Sequence, residues 1–454
     1  MRDLTLFGML AWFSFQGLMH PSIGILGWTW VSIMSPHRMA YGFIQTFPVA
    51  MMVGGATLLG FLLTKDRRKF PITSESVFLM LFMLWITVGL AFAPFFDDTF
   101  EMWKRVIKID VMILVALAVI NSRKMIIGLA WVLAISVGFY GFKGGLFTMA
   151  TGGSYRVWGP DDSFISGNNE VALGIVMVIP LVRFVQLHGG FKQKWVQMGM
   201  MFWMVLCAFA ALGSQSRGAM LALAGVGLFF WLKSNKKMLS GLVIIISAIA
   251  LVSFMPASWS ERMNSTKSYE KDASAMGRIN AWQMAFNVAK DRPFGTGFEN
   301  FKSYWFRAYA PDPLDLHAPH SIYFQVMGEQ GFVGFFIFGA IWVSVWRGAN
   351  KLKKLARPHP QARWCEDLAS LCQVSLAGYL VGGAFLGLAS WDFPYNLLVL
   401  VVAARQWVID KGWERETPPA LEDEHRRGRN REAEAPGSAK RLSRVLMKKE
   451  GLQA

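Results

Sequence analysis

Two histidines three residues apart are the clearest candidates for proton transfer. They lie in the stretch LHAPHSIY, residues 316–323, where a polar region ends and an apolar run begins. Histidine is the usual general base near neutral pH. The spacing would also suit a pair of metal ligands, but no third Cys or His follows nearby to complete a zinc site. We therefore predict that either His317 or His320 accepts a proton, and we expect no metal.

Two arginines are candidates for binding a phosphate group. Arg217 lies in a polar turn between two apolar runs, and Arg278 precedes Trp282 by four residues, which puts both on one face if the segment is helical. A guanidinium group is permanently charged and binds phosphate oxygens in a bidentate manner. Structural roles are the alternative: Arg217 would cap helix carbonyls at the membrane interface, and Arg278 would stack on Trp282. The residues alone leave both roles open.

Weaker candidates for binding a substrate are Arg156, Asn169, Glu170 and Glu329. Asn169 and Glu170 lie at the mouth of an apolar run, where Asn is also a common helix N-cap. Glu329 lies about two turns inside another run, and a carboxylate at membrane depth marks a functional site or a buried arginine partner. The sequence has no Walker A, Rossmann glycine or D-x-D sugar-nucleotide motif. This favours a substrate that is already activated and carried by a lipid.

The elements that position these residues are expected to be membrane spans. Of the 454 residues 54% are hydrophobic and only 17% are charged, against about 25% charged in soluble proteins. The apolar runs are about 20 residues long, which is the length that crosses a bilayer. A net charge of +16 would suggest nucleic acid in a soluble protein, but here the cations flank the runs and indicate topology and contact with membrane lipids. The sequence therefore predicts an all-α, polytopic membrane bundle with no nucleic-acid partner.

Twelve apolar runs predict about twelve transmembrane helices. The runs are 4–34, 41–63, 76–96, 103–120, 125–142, 168–187, 195–213, 218–232, 239–256, 320–346, 367–389 and 394–409. Basic clusters at alternate connections place those connections in the cytoplasm. The first run, with a break near Pro21, is expected to cross once, either kinked or with a re-entrant part, as a retained span and not a signal peptide. Both termini are then cytoplasmic.

The chain divides into three predicted parts: N-terminal transmembrane helices (1–142), a core that carries the candidate residues (143–413), and a disordered basic cytoplasmic tail (414–454). The core contains a large extracytoplasmic loop, 257–319, which is expected to form short amphipathic helices on the membrane surface. Because the candidate residues gather at the outer face and not at mid-membrane, and because no internal repeat is evident, an enzyme is favoured over a transporter of lipid-linked sugars.

Five short motifs occur in an order that is typical of a known family. They are Ser216–Gly218, Gly277-Arg278 with Trp282, Pro293–Gly297, His320 with Gln325 and Glu329–Gly331, and the weaker Arg156, Gly159, Asn169-Glu170 and Ala172. In these motifs the chain resembles the O-antigen ligase/polymerase superfamily over roughly residues 150–400. The amino-terminal third resembles the O-glycosylation-ligase variant of some Gram-negative bacteria. Ser321 departs from the pattern, because many members have asparagine there, which concerns the positioning of the acceptor.

The resemblance implies an inverting glycosyl transfer at the periplasmic face of a bacterial inner membrane, without nucleotide, metal or other cofactor. A glycan would leave undecaprenyl diphosphate and join a hydroxyl of lipid A–core. Arg217 and Arg278 would bind the diphosphate, and His320 would activate the acceptor. The other residues expected to contact substrate are Arg156, Asn169, Glu170, His317, Trp282 and Glu329. Two alternatives within the family differ in the acceptor: a polysaccharide polymerase uses a second lipid-linked glycan, and a protein O-oligosaccharyltransferase uses a Ser or Thr.

The chemistry of such a transfer is consistent with the residues present. A diphosphate is a good leaving group once its developing charge is stabilised, and arginines can provide that stabilisation. One base on the opposite face of the sugar then suffices for a single displacement with inversion.

Overall fold

The computed structural model describes residues 2–64, 69–234, 236–264, 273–298 and 301–416. Within these ranges the regular structure is helical, without a β-strand. The first helices are α1 (Arg2–Met19), α2 (Pro21–Met34), α3 (Val49–Leu63), α4 (Ser74–Leu90), α5 (Phe96–Val119), α6 (Arg123–Ala150), α7 (Asn168–His188), α8 (Lys194–Gly213) and α9 (Arg217–Lys233). The others are α10 (Lys237–Phe254), α11 (Ala257–Asn264), α12 (Ala273–Asp291), α13 (Ser303–Tyr309), α14 (Ile322–Ala356), α15 (Arg363–Gly382), α16 (Asp392–Ile409) and α17 (Gly412–Glu416).

The predicted all-α membrane fold is confirmed. Each apolar run after the first corresponds to one helix, although α3 begins at Val49 and α14 continues to Ala356. In the part of the chain that the structure describes, six helical segments are long and apolar enough to cross a membrane: α6, α7, α8, α10, α14 and the segment 360–385 that contains α15. The chain is therefore a multi-pass membrane protein, and the total of twelve crossings stays a prediction.

The first apolar run forms two helices that fold back on each other. α1 ends at Met19 and α2 begins at Pro21, a residue that is favoured at the start of a helix and disrupts the interior of one. A Cβ atom at Gly27 would collide with the ring of Phe13, and that ring lies 5.8 Å from the ring of Trp30. A continuous helix would separate positions 13 and 27 by about 21 Å. The break near Pro21 therefore makes this run a helical hairpin, and the number of times that it crosses the membrane stays a prediction.

The start of α1 lies at the same end of the bundle as the segment between α6 and α7. The Arg2 guanidinium lies 4.7 Å from the centre of the Tyr41 ring, and Arg38 pairs with Asp162 at 3.2 Å. Both ends of the α1–α2 hairpin are therefore found beside residues 151–167.

The predicted outer loop, 257–319, contains α11, α12 and α13. α12 has 19 residues, longer than the short helices we expected. It runs beside the first turns of α14 in the same direction: the ring of Trp282 stacks on Phe324 at 4.9 Å, and Phe286 contacts Phe332 edge to face at 5.6 Å. α12 is thus a fixed neighbour of the span that follows the histidines.

The motif Pro293–Gly297 inserts into a break in α14. Gly331 has a φ of 66°, a conformation that glycine adopts without strain, and it interrupts the helix. The N–H of Thr296 donates to the carbonyl of Gly328 at 3.1 Å, and the next residue repeats this with Glu329 at 3.0 Å. Carbonyl groups that the break would leave unpaired are thereby satisfied. Two of the motifs that resemble the family therefore join the outer helices to a span.

By its packing the chain divides into two units, Met1–Ile409 and Asp410–Ala454. The predicted disordered tail begins at residue 414, inside α17, so its first residues are helical. Residues 417–454 of that tail lie outside the described residues. All the candidate residues for chemistry belong to the first unit.

Candidate active site

The turn between α8 and α9 presents Arg217 at the start of a helix. Ser216 is the N-cap of α9, and its Oγ accepts a hydrogen bond from the N–H of Ala219 at 3.2 Å. Gln215 has a φ of 56° and reverses the chain direction before the cap. Arg217 is then the first residue of α9, where the unpaired backbone N–H groups and the helix dipole favour an anion.

The segment before α7 packs against this turn. The Nε of Arg156 donates to Oε1 of Gln215 at 3.4 Å. The Nδ2 of Asn168, the first residue of α7, donates to the carbonyl of Ser214 at 2.8 Å. The N-termini of α7 and α9 therefore lie side by side, and Arg156 contacts the turn that carries Arg217.

The start of α14 joins these two N-termini through Glu170 and His320. Glu170 is the third residue of α7, and its Oε1 lies 3.8 Å from Nδ1 of His320. The N-cap of α7 is Gly167, so the suggestion that Asn169 caps the helix is wrong; Asn169 is its second residue and is half-buried. Three helix N-termini, those of α7, α9 and α14, thus meet at one place.

His320 has a strained backbone, and polar atoms beneath it are unsatisfied. Its φ is 40°, a left-handed conformation that costs a non-glycine residue roughly 1–3 kcal/mol. The Oγ of Ser321 and the Oε1 of Gln325 are buried and have no hydrogen-bond partner among the described residues. Because buried polar atoms are usually paired, the first turn of α14 has unused capacity to bind a polar ligand or water.

α12 holds the segment that precedes the candidate base. The Nε1 of Trp282 donates to the carbonyl of Pro319 at 2.6 Å. The Nδ2 of Asn280 donates to the carbonyls of Asp312 and Asp315, at 2.8 and 2.9 Å. Because these bonds come from one helix, they fix the path of residues 312–319 relative to α14, and with it the position of the imidazole ring.

His317 also lies in this assembly. Its Nδ1 is 2.6 Å from Oδ1 of Asp315, and its ring packs against Gly277, where a Cβ atom would collide with it. The residue after Gly277 is Arg278, so α12 places this arginine beside the histidine segment. A carboxylate next to one ring nitrogen orients an imidazole. His317 therefore stays the alternative base. Across the described ranges, no three His, Cys, Asp or Glu side chains are grouped as they would be around a metal ion.

Glu329 lies apart from these contacts. It is 5% exposed, two turns further along α14, where Gln325 donates to its Oε1 at 3.5 Å and its carbonyl takes part in the helix break. The sequence reasoning missed Asn168, Asn280 and Asp315. An Asn inside a helical segment of the predicted outer loop was the available signal for Asn280, and the Gly-Asn-Asn-Glu run was the signal for Asn168.

A groove of about 690 Å³ runs along α12 next to the histidine segment. It is lined by Ile279, Trp282, Gln283, Phe286, Asn287, Pro311 and Phe324. Aromatic walls with a few amide groups are typical of pockets for organic ligands. In the segment between α2 and α3, burial, together with the nearby Arg38, lowers the pKa of His37 to about 4. His37 is therefore neutral at physiological pH, and Arg38 carries the positive charge that pairs with Asp162.

Two family models match the chain. One, described as O-Antigen ligase, matches residues 202–339, which include Arg217, Arg278 and His320. The other, described as a family of unknown function (DUF5935), matches residues 1–190, which include Arg156 and Glu170. None of the curated proteins compared with the chain matches it.

Proposed function

Because the chain belongs to the O-antigen ligase/polymerase superfamily, we propose that it transfers a glycan from undecaprenyl diphosphate to a hydroxyl of lipid A–core, with inversion, at the periplasmic face of the bacterial inner membrane. The observation that carries this proposal is the convergence of the N-termini of α7, α9 and α14 beside His320. Helix N-termini favour phosphate groups, and the donor presents a diphosphate. Membership of the superfamily supports an enzyme over a transporter.

In the proposed reaction the acceptor oxygen attacks the anomeric carbon on the face opposite the diphosphate. The new C–O bond forms as the bond between the anomeric carbon and the phosphate oxygen breaks, and the electron pair stays on the diphosphate. Arg217 and Arg278 stabilise this developing charge. The proton of the acceptor hydroxyl passes to His320. Because Nδ1 of His320 faces Glu170, Nε2 is the nitrogen that accepts the proton.

The other residues receive roles that follow from their contacts. We assign the groove along α12, with Trp282 in its wall, to the glycan next to the transferred bond. Arg156 and Asn169 flank the N-termini that would receive the diphosphate, and His317 lies beside Arg278. Glu329 is assigned to the break in α14, because its carbonyl is bonded there.

The experiment that tests the function is glycan transfer by the purified protein in detergent, without nucleotide or ion gradient. Undecaprenyl-diphosphate glycan is offered with each of three acceptors in parallel: lipid A–core, a second lipid-linked glycan, and a folded protein with exposed Ser and Thr. We expect product with lipid A–core. Product only with the second or third acceptor would make the chain a polymerase or a protein O-oligosaccharyltransferase. Absence of product with all three would overturn the assignment as an enzyme.

We also propose that the amino terminus is periplasmic, which revises the expectation that both termini are cytoplasmic. The support is that Arg2 contacts Tyr41 and that Arg38 contacts Asp162, which places all four at the end of the bundle that carries Arg217. A membrane-impermeant thiol reagent applied from the periplasm should label Leu4→Cys and not Lys351→Cys, two exposed positions. The three native cysteines are buried and give little background. Labelling of Lys351→Cys alone would reverse the orientation.

A further inference from the structure

Two lysines meet on one amide group at the end of the bundle opposite to the candidate active site. Lys233 is the last residue of α9, and Lys353 lies near the end of α14. Both donate to Oε1 of Gln373, at 3.0 and 2.6 Å. Gln373 is 1% exposed, and its Nε2 donates to the carbonyl of Trp346 at 3.2 Å and to Oδ1 of Asn350 at 3.0 Å. The amide is therefore locked with its oxygen toward the two ammonium groups.

The positive charge at this place is not balanced by the surrounding protein. Two ammonium groups that share one neutral acceptor repel each other. Within the described ranges, no carboxylate forms an ion pair with Lys233 or Lys353. The other charged side chains that act on Lys353 are Arg357 and Glu366, and Arg357 donates to Glu366 at 3.3 Å. The cluster as a whole is cationic, so an anion would relieve its repulsion.

The surroundings of the lysines indicate which kind of anion would bind to them. The two lysines lie on α9 and α14, and Gln373 lies between them on α15. The residues before Lys233 are exposed and apolar: Trp231 is 38% and Leu232 is 49% exposed. An exposed apolar surface that ends at a pair of cations is the environment that a lipid tail and its headgroup encounter. Basic pockets between transmembrane helices bind anionic headgroups in this way.

We propose that Lys233, Lys353 and Gln373 form a binding site for the phosphate group of an anionic phospholipid, such as phosphatidylglycerol, in the leaflet opposite the candidate active site. The phosphate accepts hydrogen bonds from both ammonium groups and neutralises their repulsion. Bound there, the lipid ties the ends of α9 and α14 together. The opposite ends of these two helices carry Arg217 and His320. This proposal does not depend on the reaction that the chain catalyses.

The test is retention of phospholipid by the full-length protein, measured by native mass spectrometry with phosphatidylglycerol or phosphatidylcholine added to the detergent. The variant is Lys233→Gln with Lys353→Gln. The matched control is Lys351→Gln with Lys354→Gln, which removes the same charge from exposed positions of the same helix end. We expect the wild type and the control to prefer phosphatidylglycerol, and the variant to bind it about tenfold more weakly or worse.

Three results would overturn the proposal. The first is unchanged retention of phosphatidylglycerol by the Lys233/Lys353 variant. The second is an equal loss in the control pair, since any surface charge would then serve. The third is displacement of the lipid by inorganic phosphate at a similar concentration, since the site would then be one for free phosphate.

A second variant covers the case in which the double substitution does not fold. Gln373→Glu keeps the shape of the side chain and supplies a carboxylate to both lysines. The carboxylate neutralises the two ammonium groups but loses the two hydrogen bonds that Nε2 donates, so thermal unfolding without lipid serves only to check that the variant is folded. The variant should abolish the preference for phosphatidylglycerol. If Gln373→Glu kept that preference, the lysine pair would not be the headgroup site.

Discussion

Two pairs of charged groups, Glu75–Arg405 and Glu170–His320, lie at opposite ends of the helix bundle and differ in how closely their members are bonded. Near the end that carries Lys353, Arg405 binds Glu75 in a bidentate pair, at 2.7 and 2.9 Å, with both side chains buried. Gly348 leaves just enough space for the pair, because a Cβ atom there would collide with both partners. At the opposite end, His320 faces Glu170 across 3.8 Å, too far for a hydrogen bond.

The difference separates groups that stabilise the fold from groups that are kept for a ligand. The Glu75–Arg405 pair uses its hydrogen-bonding groups within the protein. The first turn of α14 does not: His320 keeps a left-handed φ of 40°, and Ser321 Oγ and Gln325 Oε1 have no partner among the described residues. Strain and unsatisfied polar atoms persist where the rest of the fold imposes them, and they are concentrated at functional sites. We therefore expect substitutions in the Glu75–Arg405 pair to change stability and substitutions in the first turn of α14 to change turnover.

The largest effect is expected for His320→Ala. General-base catalysis contributes about 100- to 10,000-fold to a rate, so glycan transfer should fall by that factor. The unfolding temperature should stay the same or rise slightly, because the imidazole makes no close hydrogen bond that the fold requires. The measurements are the transfer rate with defined donor and acceptor and the thermal unfolding of the same preparation in detergent.

The matched control is His317→Ala, three residues earlier. Since Asp315 pairs with His317 and not with His320, this variant should lose some order in the segment before α14 while retaining most of its turnover. Donor binding separates the roles further: His320→Ala should still bind undecaprenyl-diphosphate glycan. If His317→Ala lost turnover and His320→Ala kept it, the base would be His317.

The second prediction concerns the Glu75–Arg405 pair. Arg405→Met leaves the Glu75 carboxylate buried without a partner, which costs about 3–5 kcal/mol of unfolding free energy. The double variant Glu75→Gln with Arg405→Met removes both charges and should recover a large part of that loss. Thermal unfolding in detergent measures both. Transfer per folded molecule should stay near the wild-type value, and a selective loss of turnover in a stable Arg405→Met protein would contradict a purely structural role of the pair.

The helices could be predicted from the sequence because they depend on local composition. A run of about 20 apolar residues has few alternatives to a membrane helix, and eleven of the twelve runs correspond to single helices. For the first run the sequence left two arrangements open, because its length fits either one tilted span or two short helices. The structure has two helices, which are held together by the packing of Phe13 against Gly27 and Trp30. The periodicity of the sequence does not reveal this packing.

The candidate site could be predicted in part for a similar reason. The types of Arg217, Arg278 and His320 indicate phosphate binding and proton transfer without any structure. Their surroundings depend on contacts between distant parts of the chain: Glu170 meets His320 across 150 residues of sequence, and Asn280 fixes a segment more than 30 residues away. Such contacts follow from the packing of α7, α12 and α14. The Pro293–Gly297 motif also resembles the family, but its contacts with the break in α14 give it a structural role.

The smallest effect is expected for Glu170→Gln, which tests how Glu170 acts on His320. At 3.8 Å the carboxylate acts on His320 through charge alone, and the histidine is 36% exposed, so solvent screens the interaction to about 1 kcal/mol or less. Transfer should therefore fall by roughly fivefold or less. The control is Asp162→Asn, which removes a charge from the same face. Because Asp162 pairs with Arg38, this variant should leave turnover unchanged.

The measurement that tests the role of Glu170 is a double-mutant cycle in single-turnover reactions with concentrated enzyme. If Glu170 acts through the histidine, Glu170→Gln should have no further effect once His320 is Ala, since the two losses then belong to one interaction. A full additional loss in the His320→Ala background would mean that Glu170 contacts the substrate itself.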